Sequence, residues 1–79
     1  MRNEVINAHS WTLQTVLNIV EQTGIPTDSI TSTRFVKFED DRTAVFEVEQ
    51  ISPINSFAVE KHNLFVSLDD RGLFKAEFE

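Results

Sequence analysis

Cysteine is absent from the chain, and glycine and proline occur only twice each. Without cysteine there is no disulfide framework, no thiolate zinc site and no cysteine nucleophile, so stability must come from packing or association. Two glycines are too few for a glycine-rich phosphate loop, and no GxGxxG or H-E-x-x-H motif is present. The best-marked enzyme sites are therefore excluded, and we expect a non-enzymatic protein without a cofactor.

Basic residues are also scarce, since 7 Lys and Arg face 13 Asp and Glu and give a net charge of -6. The basic residues occur singly along the chain, so a phosphate backbone would be repelled and nucleic-acid binding is not expected. No apolar run approaches the length of a membrane span, and the first residues lack the features of a secretory signal. We expect a cytoplasmic protein that makes no membrane contact.

Hydrophobic residues make up 41% of the 79 residues and include seven phenylalanines, which is typical of a folded chain rather than a disordered one. A chain of this length forms one small domain with a modest core. We therefore expect a single domain over residues 1–79.

The first third of the chain has the periodicity of an amphipathic helix. Apolar residues recur at the i, i+3, i+4, i+7 spacing of one buried face. They are Leu13, Val16, Leu17 and Val20, and the same face extends back to Ile6, Val5 and His9.

Both ends of this helix carry signals. Gly24 is suited to a left-handed C-cap, Ile25 can pack back on the last turn, and Pro26 prevents continuation. Either Asn3 or Ser10 can act as the N-cap. We favour the longer helix, over about residues 4–23.

From residue 30 onwards apolar and polar residues alternate with the period of two that is typical of half-buried strands. The pattern predicts strands over about residues 30–39, 43–51, 56–60, 63–69 and 73–79, with a turn at "EKHN". Short connections favour an antiparallel order. The expected fold is α+β, with one N-terminal helix packed on a four- to five-stranded antiparallel β-meander.

Two acidic pairs, Asp40–Asp41 in "EDDRTA" and Asp69–Asp70 in "DDRGLF", lie between predicted strands. Asp69 can begin a turn and Gly72 can take its left-handed position, which sets the flanking apolar residues opposite each other. The first pair has Arg42 where the second has glycine. In a five-stranded meander these two turns lie at opposite ends of the sheet, so we expect the pairs to be turns that do not meet.

One set of polar residues can still come together in the predicted five-stranded sheet. The predicted "EKHN" turn lies at the same end as Asp40 and Asp41, which allows His62 to approach the two carboxylates. The alternative to a binding protein is therefore a small metal-binding or hydrolytic domain centred on these three residues.

The outer face of the predicted helix has the composition of a protein interface. Trp11, Thr15 and Ile19 form an i, i+4, i+8 stripe away from the core face. Asn18 and Gln22 lie beside it, where charged residues are more usual. In the competing interpretation the helix starts at Ser10, and Trp11 folds over its first turn to cover the edge of the sheet.

A second candidate surface is the outward face of the sheet, onto which the alternation places Phe35 and Phe65 among charges that include Glu47 and Glu49. Together these features predict a small acidic non-enzymatic protein-binding module, such as an adaptor, an inhibitor or a phage-type host-interaction protein. Its expected partner is a protein, which includes a second copy in a homodimer.

Overall fold

A computed structural model describes residues 4–52, 54–55 and 57–79 of the chain. A 3₁₀ helix is followed by one α-helix and four strands, whose bounds are 3₁₀ Glu4–Ser10, α1 Leu13–Gln22, β1 Ile30–Asp40, β2 Thr43–Ile51, β3 Val59–Leu68 and β4 Phe74–Phe78. The strands form one antiparallel sheet in the order β1-β2-β3-β4. The expected α+β meander is confirmed, with four strands in the sheet.

The helical region is divided in two rather than continuous from about residue 4. Thr12 has an extended backbone with ψ of 168°, and its Oγ1 accepts a hydrogen bond from the Thr15 N–H at 3.2 Å. Thr12 is thus the N-cap of α1, because its hydroxyl accepts an N–H group of the first turn that has no acceptor within the helix. Ser10 is not this cap, and Asn3 lies outside the described residues.

The end of α1 agrees with the sequence prediction. Gly24 has a φ of 88°, its N–H donates to Glu21 O at 3.0 Å, and the Ile25 N–H donates to Val20 O at 3.4 Å. This pair of bonds is a Schellman motif, and Ile25 packs against the core.

The buried face of α1 is rotated from the one we predicted. Ile19 is buried together with Val16 and Val20, whereas Leu13 is 39% exposed. In the 3₁₀ helix Val5 is buried as expected. The inward places given to Ile6 and His9 are wrong, since both are exposed, because a 3₁₀ helix has three residues per turn and does not continue the face of an α-helix.

Trp11 lies between the two helices and packs onto the sheet. Its ring is stacked on that of the buried Phe46, with centroids 5.9 Å apart and an interplanar angle of 6°, and it meets Phe74 edge-on at 6.0 Å. Of the two positions considered for Trp11, the structure shows the one in which its ring covers the sheet, although the N-cap is Thr12 and not Ser10. The outward position predicted for Ile19 is wrong. The helix break at Thr12 removes Trp11 from the helical wheel that predicted an outward stripe.

β3 is a single strand where two had been predicted. The residues of the expected "EKHN" turn pair in unbroken register with β2, including Lys61 with Glu49 and His62 with Val48. The turn prediction is wrong because these polar residues contain no glycine or proline to reverse the chain, and their neighbours on β2 are mostly polar as well.

β1 contains irregularities that change which side chains face the helices. Phe35 pairs with Phe46 and Lys37 pairs with Val45, so Val36 is the extra residue of a bulge. The outward position predicted for Phe35 is therefore wrong, since its ring contacts that of Phe46 at 5.7 Å. Val36 is 43% exposed instead, because an inserted residue reverses the alternation along the strand.

The packing of Trp11 generates a prediction about stability. Replacing Trp11 with alanine removes two aromatic contacts from a half-buried site, and we expect the free energy of unfolding to fall by about 2–3 kcal/mol, below the range for fully buried aromatics. Leu13→Ala is the matched control on the same segment, with an expected loss under about 1 kcal/mol because Leu13 is partly exposed. Chemical denaturation measures both, and equal losses would contradict the stacked position of Trp11.

Candidate functional site

Four carboxylates lie at one end of the sheet, and we call Asp40, Asp41, Asp69 and Asp70 the acidic end. Only β2 and β3 separate the β1–β2 turn from the β3–β4 turn, and two strand passages return the chain to the same end. The expectation that the acidic pairs lie apart is therefore wrong, because it counted a fifth strand.

Arg42 connects the two turns of the acidic end. Its carbonyl oxygen accepts from the Leu68 N–H at 3.1 Å, and its Nη1 donates to Asp69 O at 3.2 Å. The same Nη1 lies 3.6 Å from Asp70 Oδ1, on a carboxylate that is fully exposed. An exposed ion pair contributes only about 0–1 kcal/mol, so the main effect of Arg42 is to hold the turns beside each other.

The aspartates that start the turns have structural partners. Asp40 Oδ1 accepts from the Arg42 N–H at 2.8 Å, and Asp69 Oδ1 accepts from the N–H groups of Arg71 at 2.8 Å and Leu73 at 2.9 Å. These Asx turns use one oxygen of each carboxylate inside the turn. Asp70 instead projects from the tip of the second turn.

The two turns reverse the chain with different backbone geometries. Gly72 has a φ of 81°, as predicted, and Leu68 pairs with Phe74. No described residue other than glycine has a positive φ, so Arg42 does not take the left-handed conformation. The first turn places its irregularity earlier, between the pairs of Phe38 and Asp40.

The two N–H donors keep the pKa of Asp69 below its ordinary value. The bond from Leu73 is the largest cause, partial burial opposes it, and the Arg71 N–H with the charges of Lys75 and Arg71 adds to the lowering. A carboxylate that accepts backbone hydrogen bonds is stabilised in its charged form. Asp69 is therefore a fixed negative charge at neutral pH.

An open groove of about 340 Å³ lies beside the first turn of the acidic end. Ile6 and Phe38 give it an apolar wall, and Asp40 and Asp41 line it as well. These two apolar side chains are 57% and 41% exposed. The groove combines an apolar surface with carboxylates, which is a chemistry that suits the stem and head of a long basic side chain.

The alternative centre at Asp40, Asp41 and His62 does not form. His62 lies within β3, five residues along the strand from Ser67, which pairs with Thr43 beside the first turn. At the rise of a strand this separation is roughly 16 Å. His62 Nε2 lies 3.4 Å from Glu60 Oε1 instead, and no group of three potential ligands in the described part of the chain is arranged to hold a metal ion.

Only the polar residues of the predicted outer helix face lie on the outside of the helix. Thr15 is half-buried and its hydroxyl lies 3.1 Å from that of Thr12. Asn18 and Gln22 are exposed, and Asn18 accepts a hydrogen bond from Gln14 at 2.9 Å. The aromatic and aliphatic members of the predicted stripe pack inward, so its apolar centre is missing.

The outward sheet face differs from the prediction in one residue. Phe65 lies on it, opposite Val45 and Glu77. Glu47 lies 3.5 Å from Arg34, and Glu49 pairs with Lys61 across the strands. Each of these two glutamates thus has a basic residue as its cross-strand neighbour.

Sequence reasoning missed a second exposed feature at the other end of the sheet. The loop from β2 to β3 carries Ile54 and Phe57, each 95% exposed. We call the described residues of this loop, which are 52, 54–55 and 57–58, the apolar loop. The strand predicted over about residues 56–60 includes Phe57, which lies in a turn before β3, and it begins at residue 56, which is outside the described residues. The sequence pattern predicts no role for Ile54.

Comparison of the chain with family models, with curated proteins and with solved structures found no match. Within the described residues no helix is long and apolar enough to cross a membrane. The candidate site therefore depends on the geometry of the two ends of the sheet.

The turn formed by Asp69 generates a prediction about pH. Because the folded state lowers the pKa of Asp69, its contribution to stability is present above the pKa of an unfolded aspartate, about 3.9, and is lost as the pH falls through the lower folded value. We expect Asp69→Asn to be less stable than wild type at neutral pH, with a difference that shrinks below about pH 4.

Asp69→Ala provides the control for this experiment. Asparagine retains an oxygen acceptor and alanine does not, so we expect alanine to be the less stable variant. The difference between the two variants should not depend on pH, since neither side chain titrates. Urea unfolding across the acid range measures all three proteins, and a constant difference between wild type and Asp69→Asn would contradict the charged turn.

Proposed function

We propose that this chain is a non-enzymatic protein-binding module of the cytoplasm that docks through its acidic end onto a basic surface of a protein partner. The observation that carries the proposal is the link made by Arg42, whose Nη1 contacts Asp69 O and Asp70 Oδ1. It joins two turns that are far apart in the sequence into one surface.

Electrostatic attraction would act mainly on the rate and specificity of this docking. Complementary charges steer two proteins together and exclude partners of the wrong sign. The groove at Ile6 and Phe38 adds apolar area next to the carboxylates, which a purely solvated turn would lack. A lysine or arginine on the partner would place its stem on this wall and its charge at Asp40 and Asp41.

The acidic end is favoured over the other surfaces that the sequence indicated. The helix face lacks an apolar centre because Trp11 and Ile19 pack inward. A homodimer through two acidic ends would bring like charges together, which opposes association. The partner that fits best is a different protein with exposed lysine or arginine residues.

Neutralising two exposed carboxylates tests this proposal. We expect Asp41→Asn combined with Asp70→Asn to reduce partner capture from the native host at least about fivefold, and more strongly at low salt, because exposed charges are screened by ions. Quantitative mass spectrometry of the captured proteins measures the loss. These two residues are chosen because Asp40 and Asp69 form the hydrogen bonds that close the turns.

The matched control is Glu21→Gln combined with Glu77→Gln, which changes the net charge by the same amount at exposed positions away from the acidic end. It should retain the partner. If both double variants capture equally less partner, the effect comes from net charge and not from the acidic end. Capture that does not weaken as salt is added would also contradict docking through the acidic end.

A further inference from the structure

The apolar loop presents two large hydrophobic side chains to solvent at the end of the sheet opposite the acidic end. Ile54 and Phe57 are each 95% exposed, more than any other large hydrophobic residue in the described part of the chain. Single exposed apolar residues are common on protein surfaces. Two of them only three positions apart at the tip of one loop form a distinct surface that the acidic end does not involve.

Hydrogen bonds within the loop maintain this exposure. Ser52 Oγ accepts from the N–H groups of Ile54 at 3.2 Å and Asn55 at 3.4 Å. Asn55 Oδ1 accepts from the Phe57 N–H at 3.0 Å, and Asn55 O accepts from the Ala58 N–H at 2.9 Å. The described part of the loop backbone is thus held by bonds to Ser52 and Asn55, which lowers the entropy lost when a partner binds.

The apolar surface continues from the loop onto the sheet. Ile51 and Val59 are the last pair of β2 with β3, and they are 39% and 56% exposed. Ser52 N donates to Ala58 O at 3.0 Å and closes the base of the loop just beyond this pair. The loop thus begins directly beyond an exposed apolar pair of the sheet.

The surroundings of the loop indicate which kind of partner covers it. An open groove of about 520 Å³ next to Ile51 is lined by Asp28 and Glu60 as well as by uncharged residues. Lys61 is the nearest basic residue along β3, and it pairs with Glu49, while Glu60 contacts His62. The groove thus places carboxylates beside the apolar loop.

This charge distribution favours a protein over a membrane. Loops and helices that enter a lipid interface usually combine apolar residues with Lys and Arg, which are attracted to anionic headgroups. Here carboxylates flank the loop on a chain whose net charge is -6. A protein pocket with basic residues at its rim complements both features.

We propose that Ile54 and Phe57 insert into an apolar pocket of a protein partner, with Asp28 and Glu60 facing lysine or arginine residues at the rim of that pocket. A buried aromatic anchor surrounded by polar contacts is the usual form of an interface hot spot. This surface lies at the other end of the sheet from the acidic end, so it does not depend on the function proposed above.

The first step of the test identifies the occupant of the loop by photochemistry. A benzophenone side chain in place of Phe57 should crosslink to a protein in the native host, and one in place of Val36 is the control. Val36 is also apolar and 43% exposed, and it lies in the middle of β1, away from both the apolar loop and the acidic end. Mass spectrometry locates the crosslinked residue, which we expect to lie in an apolar pocket with lysine or arginine at its rim.

The second step measures affinity with the captured protein after purification. We expect Ile54→Ser and Phe57→Ser each to weaken binding at least about tenfold, the effect typical of a hot spot, whereas Val36→Ser binds like wild type. Asp28→Asn with Glu60→Gln should weaken binding and reduce its dependence on salt. Both serine variants should unfold at the wild-type temperature, because the replaced side chains make few contacts.

Three outcomes would overturn the proposal. The first is equal affinity of wild type and Phe57→Ser for the crosslinked protein, or the absence of any protein crosslink specific to position 57. The second is sedimentation with vesicles of phosphatidylcholine and phosphatidylglycerol that is lost in Phe57→Ser, which would assign the loop to a membrane. The third is a dimer in analytical ultracentrifugation that Phe57→Ser dissociates, which would make the occupant a second copy.

The same purified protein separates this proposal from the acidic-end proposal. Binding that is lost in Phe57→Ser but retained in Asp41→Asn with Asp70→Asn supports the apolar loop alone. Loss in the acidic-end variant only would support docking through the turns and overturn the insertion of Phe57.

Discussion

The pairing of β2 with β3 determines most of what this molecule presents to its surroundings. Nine consecutive residue pairs, from Thr43 with Ser67 to Ile51 with Val59, join the two central strands without an irregularity. Because this ladder is continuous, the chain crosses the sheet an even number of times between the two acidic turns, and they meet at one end. The connection between the same strands then lies at the other end and carries the exposed apolar side chains. The two ends of the sheet thus separate a charged surface from an apolar one.

Local rules were sufficient for elements whose signals lie within a few residues. The C-terminal end of α1 depends on Gly24 and Ile25, and the β3–β4 turn depends on Asp69 and Gly72, and in both cases the predicted backbone geometry is present. Period-two alternation also predicted the central strands, because one face of the sheet is covered by helices and the other is not. Local signals were not sufficient to locate the candidate sites, because the end of the sheet at which each turn lies depends on the number of strands. A single incorrect turn at residues 60–63 moved one acidic pair to the wrong end.

The remaining errors come from interruptions that a regular pattern cannot represent. Because Val36 is an extra residue in β1, the residues before it point to the opposite face of the sheet from the one that the alternation predicts. Phe35 therefore packs against Phe46. The N-cap at Thr12 separates Trp11 from the α-helix, so the Trp11 ring can stack on the sheet. A wheel or an alternation extended through either position gives the wrong face. The apolar loop is missed for a related reason, because the period-two pattern predicts a strand at Phe57 although the neighbouring "SPIN" has turn composition.

The edges of the sheet have a consequence for how the chain behaves among other copies of itself. β1 and β4 each leave one row of backbone N–H and C=O groups that another strand could extend, and such edges promote aggregation in many β-proteins. In β1 the register shifts three times over eleven residues, which prevents a long flat template, and β4 has only five residues. Lys37 and Lys75 add positive charge on these strands. The bulge that places Phe35 on the unexpected face of β1 thus also opposes the addition of further strands at this edge. The chain has no disulfide bonds that could restrict such growth.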